Sequence, residues 1–217
     1  MPNPDFHLLA ISDRHAFGRA WEDPMARWLH AIGAAGAGAL VLREKDLDDR
    51  VLYGLARRAR AALPPAARLL VNGRLDIACA AGADGAHLPA DGLPLAPLRR
   101  AFGPRPLLGR STHTLDEVER ARDEGADYVL FGPVWETPGK GAPQGLAALR
   151  RAAALGVPVL ALGGITIERI PEVAEAGAAG AAGIRLFQRE EELPAVVAAA
   201  RRAFAAAERS GSEPEDL

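Results

Sequence analysis

A glycine pair within residues 163–166 (Gly-Gly-Ile-Thr) is the motif that points most clearly to chemistry in this sequence. A glycine has no Cβ, so its backbone can approach a phosphate closely, and a helix that begins near Thr166 directs free N–H groups toward that phosphate. The alternative is a tight turn that needs glycine for its geometry alone. The predicted phosphate-binding residues are Gly163 and Gly164, with Gly183 and Ile184 at the end of the last predicted strand.

His113 is the predicted catalytic residue, suited to proton transfer. It directly precedes Thr114, which forms a capping-box pattern with Glu117 and so predicts the start of a helix. An imidazole at the end of a strand can take and return a proton around neutral pH. The alternative is a solvated loop histidine. His87 lies inside an apolar strand. It could be a functional residue or a core residue whose hydrogen bonds are satisfied, and the sequence leaves both interpretations open.

Arg43 and Lys45 stand two residues apart at the end of a predicted strand, so strand alternation points both side chains the same way. Two cations on one side suit a phosphate or a carboxylate. Ion pairing with Glu44 or with an acid at a neighbouring strand end is the alternative. The other predicted substrate-binding residues are Asn72, Ser111, Thr137 and Lys140.

No metal site is predicted from the residues. Magnesium prefers carboxylates at adjoining strand ends. Asp91 follows the fourth predicted strand, but the third ends in Asn72 and Gly73 with no acid.

A Gly-Ala pair recurs four times along the chain, each time after a helical pattern and before an apolar run. Their glycines are Gly36, Gly82, Gly125 and Gly177. Glycine just past a helix end supplies the left-handed residue that closes the helix. Eight β/α units follow, with predicted helices at 22–33, 47–62, 74–81, 95–102, 115–124, 145–155, 167–176 and 191–207.

Short loops between these units favour a closed (β/α)8 TIM barrel, an α/β fold, over an open doubly wound sheet. We predict a single barrel domain over residues 1–209 and a disordered acidic tail over 210–217. In such a barrel all strands end at one mouth, so the candidate residues are expected to meet there.

Composition excludes several classes of protein. The net charge of −2 gives no field that favours nucleic acid or an anionic membrane. The sequence shows neither a signal peptide nor a long apolar span, so a cytoplasmic protein is expected. The single cysteine, Cys79, excludes an intrachain disulfide and is expected to be a small core residue.

Several segments in order resemble the thiamine phosphate synthase/TenI superfamily, whose fold is a (β/α)8 barrel. The resemblance runs from about residue 8 to 187. The segments are Arg43-Glu44-Lys45, Asn72-Gly73-Arg74, Gly82-Ala83-Asp84-Gly85-Ala86-His87-Leu88, Gly109-Arg110-Ser111-Thr112-His113-Thr114, Gly125-Ala126-Asp127-Tyr128-Val129-Leu130-Phe131-Gly132-Pro133-Val134 and Leu162-Gly163-Gly164-Ile165.

The chain is more similar to the TenI branch than to the synthase branch at the pyrimidine and metal side. Departures from the synthase pattern fall at Val41, Asn72-Gly73, Pro89-Ala90-Asp91-Gly92 and Thr137-Pro138-Gly139-Lys140. The resemblance therefore implies a thiazole tautomerase, an isomerase of thiamine biosynthesis. Such an enzyme aromatises a thiazole carboxylate phosphate tautomer without a metal, and His113 matches the histidine that moves the proton.

Two other functions stay open. One is a thiamine phosphate synthase, which joins a pyrimidine diphosphate to a thiazole phosphate and uses Mg²⁺ on the diphosphate. The other is a non-catalytic regulator that binds thiazole phosphate. All three imply a small phosphorylated thiazole as ligand, and the resemblance also implies a homodimer.

Overall fold

The computed structural model describes residues 5–211, and its centre is a closed barrel of eight parallel strands in chain order. The strands are β1 (Leu8–Ile11), β2 (Ala39–Leu42), β3 (Arg68–Asn72), β4 (Gly85–Leu88), β5 (Leu107–Thr112), β6 (Tyr128–Phe131), β7 (Val159–Leu162) and β8 (Gly180–Gly183). Strand β8 pairs with β1, with Ala182 opposite Leu9, and this pairing closes the sheet. The predicted TIM barrel is confirmed.

Helices connect the strands and cover the outer face of the barrel. They are α1 (Glu22–Ala35), α2 (Asp49–Ala62), α3 (Leu75–Ala81), α4 (Leu95–Phe102), α5 (Leu115–Asp123), α6 (Gly145–Ala153), α7 (Ile170–Glu175) and α8 (Leu193–Gly211). Short 3₁₀ helices lie at Arg14–Phe17, Ile167–Arg169, Arg185–Phe187 and Glu190–Glu192. Within residues 5–211 no helix is long and apolar enough to cross a membrane.

Alternate residues of the strands fill the interior of the barrel. Leu9 and Ile11 of β1, Val41 of β2 and Leu70 of β3 belong to this inner cluster, together with Tyr128 of β6. Successive strand residues point to opposite faces. The next inward position on each strand therefore lies one layer nearer the mouth.

The Gly-Ala pairs follow the ends of helices, as predicted. In two of them the next residue is an aspartate, and both aspartates make the same kind of hydrogen bond. Gly82 and Gly125 have φ of +74° and +82°, which an L side chain rarely adopts. The carboxylate of Asp84 accepts from the N–H of Leu69 at 2.8 Å, and that of Asp127 accepts from the N–H of Leu108 at 2.6 Å. Each aspartate thus ties the start of its strand to the strand before it.

Three local predictions need correction. The helix expected at 167–176 is a 3₁₀ turn followed by α7, with Pro171 in the first turn of α7. Cys79 is exposed, because α3 buries Leu75, Ala78 and Ala81 and Cys79 falls outside that face. Helix α8 includes residues 210 and 211 of the expected tail, and residues 212–217 lie outside the described residues.

Candidate active site

Three of the predicted substrate-binding side chains occupy the inward layer at the mouth. Arg43 lies two residues beyond Val41, Asn72 two beyond Leu70, and Ser111 two beyond Gly109, so strand alternation turns them into the barrel. All three are half-buried, whereas Lys45 is exposed. The structure therefore brings Arg43, Asn72 and Ser111 to one surface and leaves Lys45 at its rim.

Glu44 does not neutralise the two cations that flank it. It is 3% exposed, and its carboxylate accepts from the Ser12 hydroxyl at 2.5 Å and from the N–H of Arg14 at 3.2 Å. Burial is the main reason that its pKa is raised. Among residues 5–211 no carboxylate lies within 4.0 Å of the charged nitrogens of Arg43 or Lys45, so the ion-pair alternative is wrong.

The glycine turn after β7 packs against the loop after β6. A Cβ on Gly163 would lie 2.6 Å from Pro133 Cα, and one on Gly164 would lie 2.6 Å from Trp135 Cβ. Both glycines have positive φ, +96° and +68°. The backbone geometry of the turn therefore requires glycine at both positions, whether or not the turn binds a phosphate. The structural role that the sequence left open as the alternative is thus present.

The same turn still offers donors to an anion. The carbonyl of Gly163 accepts from the N–H of Trp135 at 3.1 Å, and that of Gly164 accepts from Arg169 Nη1 at 2.6 Å. Among the hydrogen bonds of residues 5–211, none is donated by the N–H of either glycine. Both N–H groups can therefore serve a phosphate, as the sequence predicted, and that binding stays a prediction.

The end of β8 lies beside this turn, because β7 and β8 pair with Leu162 opposite Ala182. Gly183 is buried, and a Cβ there would lie 3.1 Å from Leu186 Cβ. Ile184 is half-buried and packs on the inner cluster. The four predicted phosphate-binding residues are thus neighbours at one side of the mouth.

His113 is exposed and held by its neighbours at the end of β5. Its Nδ1 lies 2.6 Å from the carbonyl oxygen of Gly132. A carbonyl only accepts, so Nδ1 carries the hydrogen and Nε2 is left as an acceptor. The predicted helix start is confirmed, because Thr114 Oγ1 accepts from the N–H of Glu117 as in a capping box. The Glu117 carboxylate accepts from the N–H of His113, one residue before the N-cap Thr114.

His87 is a core residue and not a solvated one. It is 4% exposed, and burial, with the nearby positive charges of Arg110 and Arg43, lowers its pKa to about 3. Its Nε2 lies 2.9 Å from Ser111 Oγ and its Nδ1 lies 3.1 Å from the hydroxyl of Tyr128. Sequence reasoning missed Tyr128; the available signal was a tyrosine in an apolar strand whose neighbour across the sheet is a glycine.

Thr137 and Lys140 lie on the loop between β6 and α6. The Thr137 hydroxyl donates to the carbonyl of Trp135 at 2.9 Å, so in this conformation it can only accept from a ligand. Lys140 is exposed, and the loop borders with Arg169 a pocket of about 700 Å³ that is open to solvent. The guanidinium of Arg169 stacks over the Trp135 ring at 5.0 Å, a contact that supports the loop.

The donor set at the mouth does not fit a magnesium site built by the protein. Within residues 5–211 no three histidine, cysteine, aspartate or glutamate side chains cluster in a way that could hold a metal. Strand β3 ends in Asn72 and Gly73, and Asp91 is the acid that follows β4.

The mouth of this closed β/α barrel has an inward arginine, amide and hydroxyl on one side and a glycine turn on the other. Such an arrangement is typical of barrel enzymes that act on phosphorylated small molecules. The sequence model of the family described as "Thiamine monophosphate synthase" matches residues 8–187. The chain belongs to this family.

Related proteins agree with that assignment. The chain is 43% identical over 188 residues to a thiamine-phosphate synthase of Anaeromyxobacter dehalogenans, covering 85% of this chain and 84% of that protein. It is 41% identical over 183 residues to a thiamine-phosphate synthase of Methanoculleus marisnigri, covering 82% and 87%. A solved thiamine phosphate pyrophosphorylase of Pyrococcus furiosus superposes with a TM-score of 0.81 at 26% identity and covers 94% of this chain and 98% of that one.

These relatives correct the predicted activity. The thiazole tautomerase and the isomerase class are wrong as the main prediction, because proteins more than 40% identical over most of the chain are named synthases. A synthase is a transferase, and this was the first alternative. The departures from the synthase pattern at the strand ends therefore do not exclude a synthase.

Proposed function

We propose that the protein is a transferase that joins a pyrimidine diphosphate to a thiazole phosphate, as a thiamine-phosphate synthase does. The observation that carries the proposal is the 43% identity over 85% of the chain to a protein of that name. The arrangement of the mouth is consistent with it, because anion-binding groups lie at two places and two phosphorylated substrates need two.

The glycine side suits the thiazole phosphate. The N–H groups of Gly163 and Gly164 are free to donate, and Gly183 and Ile184 adjoin them. Backbone donors fixed by the fold bind a phosphate without ordering a long side chain. We propose this turn, with Lys140 from the β6–α6 loop, as the site of the thiazole phosphate group.

The cationic side suits the diphosphate. Arg43 is half-buried and faces inward, Lys45 stands at the rim, and both lack a carboxylate partner within residues 5–211. Transfer breaks a carbon–oxygen bond to the diphosphate and forms a bond from that carbon to the thiazole. Negative charge then grows on the leaving diphosphate, and fixed cations and hydrogen-bond donors stabilise such charge. Asn72 and Ser111 supply polar hydrogens at the same layer.

His113 takes a different role in this reaction from the one predicted for a tautomerase. The transfer needs no proton to move between two carbons. Its Nε2 is an acceptor at the rim because Nδ1 donates to Gly132. We propose that His113 contacts a substrate through Nε2 and helps to orient it.

Two further expectations stay predictions. A homodimer follows from the family resemblance, and light scattering on the purified protein tests it. Location in the cytoplasm is likewise an expectation from the sequence.

The proposal is tested by comparing two arginine variants in the presence of both substrates and Mg²⁺. Arg43→Gln removes the inward charge and is expected to lower the rate of thiamine phosphate formation by about 10- to 150-fold, since a lost charge-assisted contact costs roughly 1.5–3 kcal/mol and this one acts on the leaving group. Arg57→Gln, on an exposed turn of α2, is the matched control and should retain the rate.

Binding of thiazole phosphate without any product formation would contradict the transferase and favour the non-catalytic regulator. Equal rates for both variants would show that the cationic side is placed wrongly even if the activity is right.

A further inference from the structure

Three polar side chains form a line from the interior of the barrel to its mouth. Tyr128, with no exposed surface, has its hydroxyl 3.1 Å from Nδ1 of His87, and His87 Nε2 lies 2.9 Å from the hydroxyl oxygen of Ser111. Tyr128 and His87 are buried, while Ser111 is half-buried at the mouth. The line therefore connects a fully enclosed donor to a group that a ligand can touch.

The direction of these hydrogen bonds follows from the buried tyrosine. Within residues 5–211 the hydroxyl of Tyr128 makes its hydrogen bond to His87 Nδ1. A buried O–H without an acceptor is costly, so this hydroxyl donates and Nδ1 accepts. The ring is neutral because burial lowers the pKa of His87 to about 3. Its single hydrogen is consequently on Nε2, which donates to Ser111 Oγ.

This assignment decides what Ser111 offers at the mouth. With Oγ already accepting from Nε2, the hydroxyl hydrogen of Ser111 is free to point toward the mouth. In the opposite tautomer Ser111 would donate to His87 and present only lone pairs, which repel an anion.

We propose that Tyr128 is a positioning residue that, through the tautomer of His87, keeps Ser111 as a hydrogen-bond donor to a phosphate oxygen of a bound substrate. The nature of that ligand rests on the proposed function. The direction of the chain of hydrogen bonds rests on the buried geometry and on the neutral form of His87.

A glycine of β5 leaves the space that the side chains of Tyr128 and His87 occupy. Gly109 lies opposite Tyr128 in the register of β5 and β6 and opposite His87 in the register of β4 and β5. A Cβ on Gly109 would overlap the ring atoms of Tyr128. Phe6 meets the other side of the Tyr128 ring edge-on, at 5.8 Å between centroids, so the ring is held in place.

The tautomer is measured by nitrogen NMR on protein labelled with ¹⁵N-histidine. The sequence has five histidines, and the His87→Gln variant identifies the signals of His87 by their loss. We expect the pattern of a neutral ring with hydrogen on Nε2, unchanged between about pH 5 and 8 because of the lowered pKa of this buried ring. A ring with hydrogen on Nδ1, or one that becomes charged in this range, would overturn the proposal.

Coupling through Ser111 is measured by a double-mutant cycle on ligand affinity. Ser111→Ala is expected to weaken binding about tenfold or more, and Tyr128→Phe about three- to tenfold, as hydrogen bonds to charged groups do. In the Ser111→Ala background Tyr128→Phe should add no further loss. The same loss in both backgrounds, or none in either, would show that Tyr128 serves only the packing of the barrel.

Two probes distinguish the source of the phosphate oxygen. Inorganic pyrophosphate and thiazole phosphate are titrated separately, and the ligand whose affinity responds to Tyr128→Phe is the one that Ser111 contacts. Neither titration nor the NMR measurement needs turnover. If the protein proved to have no transferase activity, the affinities and the NMR spectra could therefore still be interpreted.

Discussion

The hydroxyl of Ser12 donates to the carboxylate of Glu44 at 2.5 Å and at the same time accepts from the backbone N–H of Arg43 at 2.9 Å. One serine at the end of β1 thus fixes two consecutive residues beyond β2. The acid is turned toward Ser12 and Arg14, and the arginine beside it keeps its charge available at the mouth. These two hydrogen bonds of Ser12 link the ends of β1 and β2, so the cationic site is preorganised before a ligand binds.

Glu44 makes the stability of the protein depend on pH in a defined direction. Burial raises the pKa of Glu44, so the folded state binds this proton more tightly than the unfolded state. The contribution to folding is fully present below the ordinary pKa of a glutamate and is lost as the pH rises through the raised value. Glu44→Gln lacks this titration. We therefore expect the melting temperature of the wild type minus that of Glu44→Gln to fall as the pH rises above the ordinary pKa of a glutamate, measured by calorimetry. A difference that does not change with pH would contradict the raised pKa.

Alanine variants of Gly164 and Gly82 distinguish two effects on the free energy of unfolding, backbone strain at a positive φ and a close contact of the added Cβ. Gly164→Ala places a Cβ 2.6 Å from that of Trp135 at a φ of +68°. Gly82→Ala is the matched control, since Gly82 has a φ of +74° with nothing within 4 Å of its Cβ position. The control should lose about 1 kcal/mol of unfolding free energy, and Gly164→Ala at least about 1 kcal/mol more. Denaturant unfolding measures both.

The two variants should also differ in ligand affinity. Gly164→Ala is expected to weaken thiazole phosphate binding, because the displaced turn carries the donor N–H groups, while Gly82→Ala should bind as the wild type does. Equal affinities would show that this turn has a structural role only.

Much of this architecture follows from local sequence patterns. The eight β/α units, the closing glycines and the Thr114 helix cap are short-range features, and the structure has them close to the predicted positions, apart from the 3₁₀ turn that replaces the start of the seventh helix. Strand ends meet at one mouth in any such barrel, so the candidate residues could be gathered from pattern alone.

Contacts that join distant parts of the chain could not be predicted in the same way. Ser12 meets Glu44 across 32 residues and His87 meets Tyr128 across 41, and both depend on barrel register. The exposure of Cys79 could not be predicted, because its apolar neighbours do not reveal which side of the short helix α3 faces solvent. The activity did not follow from the strand-end residues, because relatives named synthases are more than 40% identical along most of the chain despite the departures at those positions.

His113 is expected to affect substrate binding more than the chemical step. Its Nδ1–H is committed to Gly132, and the transfer reaction needs no proton from Nε2. His113→Ala should raise KM by about three- to tenfold and leave kcat within about threefold, as loss of a uniform binding contact does. Steady-state kinetics with thiazole phosphate as the varied substrate measures this. A fall in kcat of about 100-fold or more would instead indicate general acid–base catalysis.

Gly73 allows a gain-of-function test of the metal site. The wild-type mouth lacks a carboxylate at the end of β3, so we expect no magnesium binding by the protein alone at millimolar concentration, measured by calorimetry. Gly73→Asp adds a carboxylate in open space at a φ of +69°, which aspartate tolerates, and should produce measurable magnesium binding. Gly73→Asn is the uncharged control. Binding by the wild type as tight as that of Gly73→Asp would show that other groups already form the site.

The most direct test of the central claim is phosphorus NMR of the purified protein with pyrimidine diphosphate, thiazole phosphate and Mg²⁺. We predict that thiamine phosphate and inorganic pyrophosphate appear in equal amounts, and that neither forms when one substrate is omitted. Both substrates persisting unchanged, or pyrophosphate released without thiazole phosphate, would contradict a transferase that joins the two.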